Sequence, residues 1–316
     1  MKLKLLIIAL IVYILSLANC NAQNEKEKTC NFSNLKGQYL GEEPPGTTPK
    51  LFASSIFKQV AGNSVHSSPS FSSDGKEMYY TIMPTEGPFV IKYMKMIGEN
   101  WTNPETVKFT KGIDGNNSLF ANSDDIILFK SLTPRYNKQN ILTLWKVERE
   151  NGIWGKPHEL DPIFDNLAMG VSITNSGTIY FTLAKEGYGS HDIYRSQLIN
   201  GKYSNPEKLC HEINSDGDDW QPYVAPDESY LIFSRYKGAP KKGIINLYIS
   251  FKQTDGYWSE ALNMGKAINE KDAAWPYVSP DGKYIFFVSS KDNDSWFYKV
   301  YWVDARIIEI LKSEID

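Results

Sequence analysis

A motif of about fifty residues occurs five times in this chain of 316 residues. Its clearest copies are Trp220–Phe233 (WQPYVAPDESYLIF) and Trp275–Phe287 (WPYVSPDGKYIFF). The residue before the first turn of each copy is apolar, and these residues are spaced by 49, 53, 51 and 54 positions: Phe71, Phe120, Ile173, Val224 and Val278. Self-similarity at this period indicates a β-propeller or a solenoid.

Each copy begins with a predicted β-hairpin whose second strand is apolar on both faces. Asp, Asn and Gly in the turns supply the local hydrogen bonds and positive φ that tight turns need. On one face of the second strand, the last apolar residue is aromatic in all five copies: Tyr80, Phe129, Phe181, Phe233 and Phe287. The opposite face is apolar as well: Tyr79, Leu128, Tyr180, Ile232 and Phe286. A strand that is apolar on both faces is buried on both faces, as in a blade between two neighbouring blades.

The rest of each copy predicts two further strands, so the fold class is all-β, a five-bladed β-propeller of four-stranded blades. The fifth copy has no segment for its outer strand, because the chain after Trp302 enters an amphipathic helix. We expect Lys50–Lys58 to supply that strand and close the ring, since an unpaired edge is a liability. The alternative is a six-bladed ring, in which residues 31–60 form more than one strand.

The repeats resemble the WD40-like propeller repeats of exported bacterial proteins of the TolB type. Their pattern, Pro-x-x-Ser-Pro-Asp-Gly-Lys-x-[Ile/Leu]-x-Phe, matches Pro276–Phe287 closely, and Pro222–Phe233 and the copy from Pro69 match it with substitutions. The resemblance covers most of residues 36–311. It implies the fold, whereas its implications for function range from protein docking to modules attached to hydrolases.

The N-terminus has the pattern of a secretory signal peptide. Lys2 and Lys4 precede an apolar run from Leu5 to Leu15, which is too short to span a membrane. Cleavage after Ala22 would leave Gln23 first; alternatively, Cys20 lies in a lipobox-like sequence and would be lipidated. We therefore assign residues 1–22 to the signal peptide, 23–46 to a polar segment or tether, 47–311 to the propeller and 312–316 to a tail. The expected location is the periplasm, or the outer membrane of a bacterium through a lipid tether.

The composition limits the classes of partner that the chain is expected to bind. Removal of Lys2 and Lys4 with the leader leaves 32 basic against 37 acidic residues, and no basic run suggests nucleic acid binding. We expect no transmembrane span and no cofactor. The oxygen-rich segment Asp216–Asp219 leaves Ca²⁺ binding as an open alternative, but it lacks the ligand spacing of an EF-hand. Cys30 and Cys210 could pair, but each is more typical of an isolated residue.

Candidate binding residues lie in the loops before the inner strands, which line one mouth of a propeller channel. They are His66, Asp114, Asp165, Asp219, Trp220, Asp272 and Trp275. The Asp residues either cap turns and bond to neighbouring blades or form a ring of acceptors for a cation or a basic peptide terminus. The two Trp residues either pack between blades or stack a sugar or peptide.

Catalytic motifs are absent from the sequence. It has neither the Gly-x-Ser-x-Gly of α/β-hydrolases nor the His-Glu-x-x-His of zinc proteases. The sequence therefore favours a non-catalytic envelope scaffold that binds a protein, peptide or glycan through its channel mouth. The alternative is a carbohydrate-active hydrolase or lyase that uses Asp219 and Asp272, with His66 as a further candidate.

Overall fold

The structure is a computed structural model that describes residues 35–57, 63–113, 118–122, 125–134, 140–165, 167–184, 191–237, 244–289 and 299–315. The described residues fall within one compact unit, Ser33–Asp316. They form five antiparallel sheets of four or more strands, each a blade of a propeller, and one further two-stranded sheet. Among them, no helix has both the length and the apolar composition needed to cross a bilayer.

Each blade pairs its strands in the order inner, second, third and outer. Before the first blade lies β1 (Lys50–Leu51). The first blade contains β2 (Asn63–Val65), β3 (Ser70–Phe71), β4 (Glu77–Pro84), β5 (Val90–Ile97), β6 (Asn100–Trp101) and β7 (Glu105–Thr106). The second contains β8 (Ser118–Asn122), β9 (Ile126–Pro134), β10 (Asn140–Glu150), β11 (Ile153–Trp154) and β12 (His158–Glu159).

The third blade contains β13 (Leu167–Ile173), β14 (Ile179–Ala184), β15 (His191–Ser196) and β18 (Glu207–Lys208), with a hairpin of β16 (Leu198–Ile199) and β17 (Lys202–Tyr203) before the outer strand. The fourth contains β19 (Asp218–Val224), β20 (Tyr230–Lys237), β21 (Ile244–Phe251) and β22 (Leu262–Asn263). The fifth contains β23 (Ala273–Val278), β24 (Tyr284–Ser289) and β25 (Lys299–Asp304), and helix α1 (Arg306–Lys312) follows it.

The N-terminal segment closes the ring, as the sequence predicts, but within the predicted range Lys50–Lys58 the strand is only Lys50–Leu51: the chain turns over residues 54–57, and Lys58 lies outside the described residues. Strand β1 pairs antiparallel with β25, so that Lys50 is opposite Trp302 and Leu51 is opposite Tyr301. The fifth blade thereby gains its outer strand, and the alternative of six blades is wrong. The packed region begins before this strand, since Tyr39 and Leu40 are buried in a tight turn at Gln38–Gly41.

The second strands are buried on both faces and separate successive core clusters. Phe129 packs in the cluster between blades 1 and 2, and Leu128 packs in the cluster between blades 2 and 3. Tyr180 and Phe181 divide in the same way, as do Ile232 and Phe233. Blade-to-blade packing therefore carries most of the apolar burial, which is the main stabilising contribution in folding.

The turns between inner and second strands use the local chemistry that the sequence indicates. In the first blade, the Asp74 carboxylate accepts hydrogen bonds from the Ser72 hydroxyl and from the Lys76 backbone N–H. Asp281 accepts the same pair of bonds from Ser279 and Lys283 in the fifth blade. These bonds hold the pKa of both carboxyl groups below its usual value, although burial alone would raise it.

Candidate functional site

The antiparallel topology sorts the connections between the two ends of the ring. The loops that enter the inner strands and those between second and third strands share one end, which we call the mouth end. The turns between inner and second strands and the hairpins after the third strands share the other, which we call the hairpin end. The predicted site residues that the structure describes follow outer strands and therefore belong to the mouth end.

Three rings from two neighbouring blades form an aromatic cluster at the mouth end. The His66 ring lies between Phe89 and Trp275, with centroid distances of 4.8 and 4.9 Å. The His66 backbone N–H donates to the Thr81 carbonyl, and the Ser68 hydroxyl donates to the Trp275 carbonyl. Phe89, His66 and Trp275 are half-buried as whole residues, so the cluster lies at the surface without being fully covered. The structure thus brings together two predicted residues, His66 and Trp275, that are 209 positions apart in the sequence.

A lysine lies close to this cluster. Lys130 is a half-buried residue of β9, and burial lowers its pKa to about 8. Burial together with the nearby Lys130 charge lowers the pKa of His66 to about 3. Near pH 7 the His66 imidazole is therefore neutral. Lys130 is mostly charged at that pH and loses its proton near pH 8.

The protonation state of His66 makes stability depend on pH. His66 is neutral in the folded protein down to a pKa of about 3, but its unfolded pKa is about 6.5. The unfolded chain therefore binds more protons below about pH 6.5, and the free energy of unfolding falls as pH decreases through that range. We expect His66→Gln to reduce the loss between pH 7.5 and 5 by about 1–2 kcal/mol in urea unfolding. His211→Gln, at a ring that is 90% exposed, should leave the loss unchanged; an unchanged loss in His66→Gln would contradict the neutral imidazole.

Three inner strands share a bulge with a left-handed residue. Gly170, Gln221 and Trp275 have φ of 69°, 54° and 55°, each three residues before the aligned position that ends the inner strand. The bulges touch around the ring. A Cβ on Gly170 would lie 2.4 Å from the Gln221 Cα, and the Gln221 side-chain oxygen accepts from the Trp275 backbone N–H at 3.1 Å. The Trp275 backbone is therefore fixed on both sides, by the Gln221 side chain and by the Ser68 hydroxyl.

Two loop carboxylates at the mouth end hold neighbouring strands. Asp218 and Asp272 occupy equivalent positions, and each accepts from a backbone N–H at the start of the preceding blade's third strand. Asp272 accepts from Ile245 at 2.9 Å, and Asp218 accepts from His191 at 3.0 Å. Asp218 also lies 3.0 Å from the His191 Nδ1 atom. These bonds match the capping role of Asx residues in such loops.

Asp219 is part of a fully buried ion pair within the fourth blade. Its side chain is 0% exposed, and Oδ1 accepts from Arg235 Nε at 2.5 Å. Oδ2 accepts from the backbone N–H and the hydroxyl of Ser215, at 2.7 and 2.8 Å. Burial raises the pKa of Asp219, and the Arg235 guanidinium and the Ser215 donors oppose that rise. Both oxygens are thus committed to the protein itself.

Trp220 lies at the boundary between blades 3 and 4. Its ring centroid is 5.4 Å from that of His191. The residue is 8% exposed, and its indole N–H has no hydrogen-bond acceptor within the described part of the chain. Trp220 aligns with Ala274, and Trp275 aligns with Gln221. The two predicted tryptophans therefore have different positions and surroundings.

The remaining predicted residues are dispersed. Asp165 is half-buried and ends a single 3₁₀ turn, Pro162–Phe164, at the entrance to the third blade. Asp219 and Asp272 bond to different partners in different elements. Asp114 and Cys20 lie outside the described residues. Within the described ranges, no group of three or more His, Cys, Asp or Glu side chains could hold a metal ion.

Two residues of the mouth end escape sequence reasoning, Phe89 and Lys130. Lys130 directly follows Phe129, the aromatic residue that each copy has in its second strand. At the same position the other copies carry Thr81, Thr182, Ser234 and Val288. A lysine at this otherwise small or apolar position is the signal that could have identified it. Phe89 carries no such signal, because it lies in a loop that differs between copies.

A polar cavity of about 400 Å³ lies away from the mouth, at the hairpin end between blades 1 and 2. Its lining includes Lys76, Glu77 and Arg149. Arg149 Nη1 lies 2.7 Å from the Glu77 carboxylate, and its guanidinium stacks on Trp154 at 4.7 Å. The cavity walls are therefore joined by a blade-to-blade ion pair.

Comparison with known proteins finds similarity only among solved structures. No protein-family model matches the chain, and no curated protein matches it. Among solved structures, it is similar to TolB from Acinetobacter baumannii, with 14% identity over 75% of this chain and a TM-score of 0.47. The match covers 54% of the TolB chain, so this chain spans about half of that protein's length.

Two glycoside hydrolases are similar at the same level. The α-L-arabinofuranosidase PaAbf62A from Podospora anserina has 8% identity, coverage of 82% of this chain and 93% of that chain, and a TM-score of 0.48. The arabinanase Arb43A from Bacillus subtilis has 13% identity, coverage of 77% and 96%, and a TM-score of 0.48. These similarities concern the propeller fold.

Proposed function

We propose that the protein is a non-catalytic scaffold that binds a protein, peptide or glycan partner at its mouth end. The observation that carries the proposal is the aromatic cluster of Phe89, His66 and Trp275, which is contributed by two blades and consists of half-buried residues. Rings held in this way suit stacking against a sugar face or packing against a peptide. As part of the same proposal, the protein is exported and works in the cell envelope.

The charge at the mouth end supports a partner group that accepts hydrogen bonds. Lys130 supplies an ammonium group, and neutral His66 lies in its field. The carboxylates of Asp218, Asp219 and Asp272 instead bind N–H groups of the protein itself. A carboxylate, carbonyl or sugar hydroxyl therefore fits this end better than a basic peptide terminus does.

The same bonds weigh against a glycoside hydrolase that uses Asp219 and Asp272. Such an enzyme needs one carboxyl as an acid and a second as a nucleophile or base. Asp219 has both oxygens bound within the fourth blade, and Asp272 supports a backbone N–H of β21. The structural roles of these two residues are already sufficient to explain their presence.

Photo-crosslinking in intact cells tests the proposal. A benzophenone amino acid replaces Phe89 at the mouth end or, as the matched control, Tyr257, which is 71% exposed at the hairpin end. We expect a discrete product from position 89, and Trp275→Ala should reduce it about tenfold because one of the stacked rings is lost. If the amount of crosslinked product from position 89 were the same in Trp275→Ala, the proposal would be contradicted. Turnover of polysaccharide by the purified protein, abolished by both Asp219→Asn and Asp272→Asn, would replace it with the hydrolase function.

A further inference from the structure

Every blade exposes at least one large apolar side chain at the hairpin end, and the third blade also exposes Leu198, at 40%, beside Ile199. In blades 1 to 4 they lie at the tips of the hairpins that follow the third strands: Ile97, Ile153, Ile199 and Tyr257, which are 62%, 73%, 54% and 71% exposed. In blade 5 the position is taken by helix α1, where Ile310 is 51% exposed. We call these five residues the apolar rim.

The hairpins do not need these apolar side chains in order to fold. Their turns form at Gly98, Asn151-Gly152, Asn200-Gly201 and Gly256, where positive φ supplies the required backbone geometry. Each hairpin is also anchored by an inward aromatic residue, such as Trp101 at 3% exposure and Trp258 at 6%. Single exposed apolar residues are ordinary on a protein surface, but their recurrence in every blade, always at one end of the ring, forms a repeated pattern.

The N-terminal chain enters the fold at this same rim. Leu35 accepts a hydrogen bond from the Trp101 backbone N–H, and Gly37 donates to the Glu99 carbonyl, so the chain runs along the first-blade hairpin. Upstream, the sequence carries the apolar run Leu5–Leu15 and then Cys20. The 15 residues from Cys20 to Leu35 can span at most about 50 Å. A chain directed to a membrane by that run therefore begins its folded part at the hairpin end.

We propose that the apolar rim is the membrane-facing surface of this protein and contacts the interface of a lipid bilayer. The N-terminal chain favours a bilayer as the occupant, because that chain joins the fold at the end of the ring that carries all five residues. The basic and acidic residues of α1, Arg306, Glu309 and Lys312, alternate along the helix, so apolar contact rather than net charge drives binding. This orientation turns the mouth end toward the aqueous compartment, where a partner can reach it.

Site-specific fluorescence on vesicles tests the orientation. The exported full chain carries Cys30→Ser and Cys210→Ser, and its intact mass shows whether Cys20 is lipidated or Gln23 is first. An environment-sensitive nitrobenzoxadiazole label is placed by Ile97→Cys, Ile153→Cys or Ile199→Cys, and the control is Ile244→Cys, which is 56% exposed at the mouth end. The probe vesicles are phosphatidylcholine with a nitroxide-bearing acyl chain; a second set contains phosphatidylglycerol.

We expect blue-shifted, nitroxide-quenched emission at positions 97, 153 and 199, no change at position 244, and the same result with both vesicle sets. Unquenched rim labels on vesicle-bound protein, or protein that remains in the supernatant, would overturn the proposal. Rim labels that become shielded without vesicles, in step with a doubled mass in solution, would show instead that the rim joins two copies of the chain. Because these side chains are exposed, the variants should keep the melting temperature of the parent protein.

Discussion

Replacing Asp219 with alanine should lower the free energy of unfolding by about 3–5 kcal/mol. The change removes the carboxylate that Arg235 meets at 2.5 Å, in a position with 0% exposure. It leaves the Arg235 guanidinium buried; among the described residues it donates to the Ile213 carbonyl at 2.7 Å, and it lies over the Tyr248 ring at 4.5 Å. An uncompensated buried charge accounts for the large expected loss. Urea unfolding at neutral pH measures it.

Two further variants isolate the ion pair from general damage. Asp219→Ala with Arg235→Met removes both charges and should recover a large part of the loss, because a buried pair can be replaced by apolar groups at little net cost. Asp272→Ala removes a half-buried cap of one backbone N–H and should cost only about 1 kcal/mol. If Asp219→Ala were no more harmful than Asp272→Ala, Asp219 would not hold the fourth blade together, and its carboxylate would be available for chemistry.

The five blades and their closure follow from the sequence because they rest on local and periodic signals. Apolar residues on both faces of strands such as Ile179–Ala184 specify burial between two neighbours wherever those neighbours lie. The turn chemistry at Asp74 and Asp281 involves residues within five positions of each other. Closure follows by elimination, because the fifth copy lacks an outer strand and Lys50–Leu51 is the unassigned strand that pairs with it.

The mouth end is harder to predict because its contacts join distant residues through geometry. His66 meets Trp275 only because the first and fifth blades are neighbours in a closed ring. A motif alignment on tryptophan equates Trp220 with Trp275, but Pro222 and Pro276 show that the two are displaced by one residue. A one-residue shift along a strand reverses the face that a side chain occupies, and so the two tryptophans have different surroundings.

The hydrogen-bond partners of the loop carboxylates are equally hard to predict from the sequence. Asp219 bonds to Arg235, which is 16 positions later on the neighbouring strand. The pairing register that brings them opposite each other depends on the bulge between Trp220 and Tyr223. Loop composition alone predicts that Asp and Asn can cap backbone groups or bind a ligand, and only the backbone positions decide which of them remain available.

Replacing Phe52 with alanine should lower the free energy of unfolding by about 3–5 kcal/mol, because the Phe52 ring is buried where the first and fifth blades meet. The residue is 1% exposed, and its backbone N–H donates to the Val300 carbonyl at 2.9 Å. Its ring lies 5.0 Å from Phe286, 5.1 Å from Trp302 and 6.1 Å from Phe71. The last contact reaches the first blade, so one side chain packs on both blades that must meet.

Leu51→Ala provides the matched control, because this residue directly precedes Phe52, lies in β1 and is 42% exposed. We expect a loss within about 0.5 kcal/mol there. Calorimetry distinguishes two possibilities: β1 and Phe52 stabilise the whole ring, or β1 is an accessory strand. If closure stabilises the whole ring, Phe52→Ala should keep a single transition at a lower melting temperature, and deletion of Lys50–Lys58 should lower it further. If that deletion left the melting temperature unchanged, β1 would be an accessory strand, and the ring would have to close through contacts between blades 1 and 5 alone, such as the Tyr277 hydroxyl that accepts from the Phe71 N–H.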